Sequence, residues 1–181
     1  MPALLQNRPP YLVAGLLAAA ATVFSLAFAC AAPFAALAAL AARYQPPREA
    51  LLSVGLAWIA NQAIGYGLLG YPHDANSYGW GLAIGIAALA GGYAAVLVNA
   101  RLQHWLALPA GFVAAFAAYQ AALWLGGQAL NGWRLADSDG AFSLAILTEV
   151  LRANLIGFAV LLAGWQMLRL LDRREASQRA A

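Results

Sequence analysis

Four long, predominantly apolar runs decide what this chain can fold into: Ala50 to Gly70, Gly79 to Val98, Trp105 to Gly126, and Ala141 to about Leu170. A helix rises about 1.5 Å per residue, so about 20 such residues cross a hydrocarbon core about 30 Å thick. A water-soluble domain carries about 25% charged residues as its polar skin. Here 64% of residues are hydrophobic and 9% charged, too few to cover the runs. The sequence therefore predicts an all-α, polytopic integral membrane helix bundle, forming one domain over residues 1–181.

The first 44 residues are read differently. Tyr11 to Ala42 is almost wholly apolar, with CAAPF near its middle. One straight helix of that length would reach about 48 Å, and two full passes would leave no room for a turn. Pro33 disfavours helix at Ala32 and removes a backbone donor, so a break is expected there. A first span from Tyr11 to Ala31 and a shorter one from Pro33 to Arg43 bring the expected total to six transmembrane helices. The alternative is five, the first being long and tilted. The same residues, with Arg8, the apolar run and AFACA at Ala27 to Ala31, also look like a cleavable signal with a loose lipobox. The run is longer than a signal needs, and Ala27 stands where a lipobox has leucine, so an uncleaved span is preferred.

Charge sets the orientation. Arg43 and Arg48, then Arg101 with His104, then Arg169, Arg173, Arg174 and Arg179 make alternate connections and the tail positive. The connections holding His73 and Asp74, and Arg134 with Asp137 and Asp139, are not. Under the positive-inside rule both termini face the cytoplasm, and the Asp74 and Asp137 loops face outward. A bacterial inner membrane is the expected location. The net charge of +3 is thereby spent on topology and gives no reason to expect nucleic acid.

Scarce polar groups gather toward the outer side. Asn61 and Gln62, counted from Gly70, lie about 12 to 14 Å below the outer surface, and Gln120 about 9 Å, beside Tyr119. Glu149 and Arg152, three residues apart and so neighbours on a helix surface, lie at about 12 and 16 Å, with Asn154 just below. Intramembrane ionisable groups are costly unless paired or hydrated, and often mark ligand pathways. These groups are therefore expected to face inward. With Tyr66 and the loop residues His73, Asp74, Tyr78 and Trp133 they form a candidate ligand pocket beneath an outer lid. The competing reading is a structural clamp between helices, with loop aromatics at the interface for ordinary reasons.

Several chemistries find no support. The chain has no lysine, which excludes a retinal Schiff base, a lysine nucleophile and a Walker lysine. The single cysteine, Cys30, permits no internal disulfide and no cysteine metal motif. His73 and His104 fall on opposite sides of the membrane and cannot clasp one haem. GxSxG, HExxH and glycine-rich phosphate loops are absent from the sequence, so neither an enzyme nor a named cofactor is expected.

Small residues mark helix contacts. Gly81, Gly85, Ala88 and Gly92 share one side of a span, and Ala31, Ala35 and Ala39 repeat the spacing earlier; such stripes let helix backbones approach. With AAPFAALAALAARY early in a six-helix chain, the architecture resembles the substrate-binding S components of energy-coupling-factor vitamin transporters. That resemblance implies a ligand held near the outer face, and an alanine stripe at Ala31, Ala35 and Ala39 docking an energising membrane subunit. Two functions are thus expected to compete. One is a substrate-binding or uptake subunit, and the other a non-catalytic accessory or scaffold subunit of a larger membrane complex. The partners are the lipid bilayer, other membrane subunits and a small-molecule ligand.

Overall fold

A computed structural model describes residues 32–102, 105–132 and 142–179, with side chains from 168 onward described only at Leu170. Expectations that concern the first span, Cys30, Ala31, His104, Trp133, Arg134, Asp137 and Asp139 lie outside the described residues. The described residues form helices and no strand: α1 Phe34–Tyr44, α2 Pro47–Gly67, α3 Ala75–Arg101, α4 Ala107–Gly132 and α5 Leu144–Arg179.

Three of these are long and apolar enough to cross a membrane: α3, α4 and the Leu144–Met167 part of α5. α2 has 21 residues but includes Arg48, Glu49, Asn61 and Gln62, and it does not join them. The count of six spans is not supported. The segment expected as a short second crossing is instead an 11-residue helix, about 16 Å long and hence half the hydrocarbon thickness. It does not run along the lipid. Phe34 through Ala41 are all at most 4% exposed, and α1 packs against α2, α3, α4 and α5 alike. The bundle is built around a half-length helix.

A helix that starts inside an apolar core must satisfy its first free N–H groups locally. The sequence arranges this in three steps. Pro33, at the N-cap, has no N–H to satisfy. With φ −79° and ψ 61° it forms an inverse γ-turn, so the Phe34 N–H donates to Ala32 O at 2.8 Å. The N–H groups of Ala35 and Ala36 then donate to the side-chain oxygen of Asn154 on α5, at 3.0 and 3.3 Å. Pro33 offers no capping side chain, and Asn154 does from another helix what Ser or Asp does from the N-cap. Its amide nitrogen donates to Val150 O at 2.9 Å. Gly157, one turn further, lets Pro33 lie against the α5 backbone.

Around this centre, α3 and α4 share the widest contact, and α3 meets α2 through its glycine stripe. Gly81 faces Gln62 and Tyr66, Gly85 lies under the Trp58 indole, and Gly92 faces Leu51 and Val54. Trp58 Nε1 also donates to Gly81 O at 2.9 Å. Gly81, Gly85 and Gly92 thus lie at the α2–α3 contact. The alanine stripe is different. Ala35 and Ala39 are 1% and 0% exposed, so they pack helices within the chain and offer no surface to a docking subunit. The reason is that α1 is enclosed by the four other described helices.

Candidate functional site: a cleft between the second and third helices

Three residues past the end of α2, Gly70 takes φ +69°, a left-handed conformation that glycine adopts at little cost. This turns the chain back, so that the Tyr71 N–H donates to Gly65 O at 3.0 Å and the Tyr71 ring covers Gly65. The loop then runs to Asp74, which caps α3 by accepting the Ser77 N–H at 2.8 Å. Removing such a cap costs about 1 kcal/mol. Asp74→Ala is therefore expected to lower the melting temperature measurably, whereas Asp74→Ser keeps most of it; equal melting for the two would reject the cap.

The short loop brings four rings together. Tyr66 is the hub, with ring centroids 5.7 Å from Tyr71, 5.4 Å from His73 and 5.1 Å from Tyr78. The His73 Nδ1 and the Tyr78 hydroxyl share a hydrogen bond of 2.8 Å, and the Tyr66 and Ser77 hydroxyls share one of 3.1 Å. Beneath the rings lies a cleft of about 440 Å³ lined by Trp58, Ile59, Gln62, Tyr66, Tyr78 and Leu82, with Ala63 and Gly81. Its volume is within the range of small-molecule sites, about 300–1,000 Å³. Ile59 and Leu82, at its rim, are 55% and 58% exposed, so the cleft is open along one side. The walls are apolar and aromatic. The polar groups are the Gln62 amide, whose nitrogen donates to Asn61 Oδ1 at 3.2 Å, and the tyrosine hydroxyls.

Of the residues expected to bind a ligand, Gln62, Tyr66 and Tyr78 line this cleft, and His73 joins it through Tyr78. Asn61 is buried behind Gln62. Asp74 is engaged in capping. Gln120 lies on α4, with its amide nitrogen buried and without a hydrogen-bond partner among the described residues, and it does not line the cleft.

Glu149 and Arg152 do not face inward as expected. They pair at 3.8 Å, but their side chains are 72% and 70% exposed. The buried face of this helix is the one carrying Ala153, Asn154 and Gly157, which turns the pair outward. The expected inward polar layer shared by three helices is not assembled from them. The cleft is also lined by Trp58, Ile59, Ala63 and Leu82, which are not among the residues expected to bind. Trp58, Gln62 and Tyr66 recur at spacings of four, the interval that puts side chains on one helix face, and that pattern was the available signal.

No family model matches the chain, and neither a curated protein nor a solved structure matches it.

Proposed function

We propose that the chain is a substrate-binding subunit that takes a small amphipathic molecule into the cleft between α2 and α3. The observation that carries this reading is the convergence of Gln62, Tyr66, His73 and Tyr78 at the mouth of an otherwise apolar cleft. An apolar ligand body would lie against Trp58, Ile59 and Leu82, with a polar end toward the Gln62 amide and the tyrosine hydroxyls. Few fixed polar groups in an apolar cleft orient a ligand without binding every oily molecule equally. The open rim gives access from the side as well as past the loop. Arg43, Arg48 and Arg101 lie at the opposite helix ends, which supports the Tyr71–Tyr78 end facing outward. Uptake on this reading requires a separate energising subunit, as in the transporter family that the sequence resembles.

Native mass spectrometry of the protein released from its membrane tests the reading. The unaltered chain should carry a small-molecule adduct. Ala63→Trp fills the cleft from an exposed position and should reduce the adduct at least tenfold while leaving the melting temperature unchanged. If the unaltered chain carries no adduct and brings down another polypeptide instead, the accessory-subunit reading replaces this one.

A further inference from the structure

Most of the contact between α5 and the other described helices is with α1, through the face carrying Asn154 and Gly157. The opposite face carries Ala145, Thr148, Glu149, Arg152, Ala159 and Ala163, all exposed, with the exposed Met167 and Leu170 at its far end. Against acyl chains the Glu149 and Arg152 charges at its centre are the costly feature. Small side chains mark close helix approach, and charged ones in the hydrocarbon are costly without partners. Arg152 stands within the apolar stretch Leu144–Met167, about 12 Å from Leu144 along the axis. The pair it makes with Glu149 is long, at 3.8 Å, and both side chains are mostly uncovered.

We propose that this face is the interface of a homodimer, with a second copy of the chain packed α5 to α5 about a two-fold axis along the membrane normal. A two-fold contact requires a patch complementary to itself. One acid and one base three residues apart provide it. In two parallel copies, Glu149 of each lies about 4.5 Å along the axis from Arg152 of the other, within reach of two long side chains. The two acids and two bases then close a ring of alternating charge that neither copy completes alone. Ala145, Ala159 and Ala163 lie above and below the ring, where backbones can approach. A foreign partner would have to supply a matched pair, and a second copy has one by construction. The surface is separate from the α2–α3 cleft and does not depend on it.

The test uses two differently tagged full-length copies, expressed together, and reads dimers by tag pull-down and native mass spectrometry. The unaltered chain should dimerise. Glu149→Arg alone places four arginines at the contact and Arg152→Glu alone places four glutamates, so either homodimer should fall at least tenfold. Glu149→Arg expressed with Arg152→Glu restores two of each charge, and the mixed dimer should return to near the original level. Should a charge reversal prevent folding, Glu149→Gln and Arg152→Gln, which remove charge without opposing it, should also weaken the dimer. A monomeric unaltered chain overturns the proposal, whether α5 is then covered by a different polypeptide or by residues 1–31 of the same chain. A dimer indifferent to the reversals, or not recovered in the mixture, overturns it too.

Discussion

Replacing Asn154 with alanine is expected to destabilise the protein by about 3 kcal/mol, far more than any exposed polar substitution. Asn154 is 1% exposed, and its side-chain oxygen accepts from two backbone N–H groups that have no other partner within the helix. Losing a helix cap costs about 0.5–2 kcal/mol, and leaving a buried donor unsatisfied costs about 1–3 kcal/mol. Side-chain hydrogen bonds between membrane helices are usually weaker, averaging about 0.6 kcal/mol, because the unfolded helices find other partners in the bilayer. That discount does not apply here. The donors belong to the start of a buried helix with proline before it, and water does not reach them. Asn154→Asp keeps an acceptor and places negative charge at a helix N-terminus, which favours it, but it loses the bond to Val150 O. It should fall between the two. Unfolding by denaturing detergent, compared with Asn131→Ala at an exposed position, measures the difference. Equal losses at the two asparagines would mean that the α1 start is not held in this way.

The same asparagine shows where the sequence stops being readable. Pro33 announced a helix break, and α1 does begin after it. What Pro33 did not announce is burial on every side, because an alanine or leucine reads identically whether it faces lipid or protein; acyl chains are as apolar as the core. The span expected over Gly79 to Val98 is shorter than α3 at both ends for a related reason. Hydropathy marks the oily part of a helix, whereas α3 begins at Ala75 behind its Asp74 cap and ends at Arg101. Counting residues placed Glu149 and Arg152 at a depth, but depth does not say which way a side chain points around the axis. That direction depends on what α5 packs against. Local features are easier to read. Gly81, Gly85 and Gly92 recur on one helix side, where close approach is expected, and Tyr66, His73 and Tyr78 are held together by a loop too short to separate them.

Two glycines should respond to the same substitution with opposite signs. Alanine is favoured over glycine inside a helix by about 1 kcal/mol, so propensity alone predicts that both Gly91→Ala and Gly164→Ala stabilise. At Gly164 an added Cβ would meet nothing within 4 Å among the described residues, and a gain of up to about 1 kcal/mol is expected. At Gly91 the Cβ would stand 2.8 Å from the carbonyl oxygen of Ala115. That neighbour is backbone, which cannot rotate aside as a long side chain can, so α3 and α4 must separate. Overpacking of this kind costs about 1–3 kcal/mol, which outweighs the propensity gain and reverses the sign; Gly91→Leu should be worse still. The effect is large because α3 and α4 form the widest helix contact in the bundle, and parting them at Gly91 also loosens Phe112, Ala115 and Tyr119 in the shared core. Parallel unfolding curves for the two alanine variants decide the matter. Shifts in the same direction would show that propensity, not the approach of the two backbones, governs stability at Gly91.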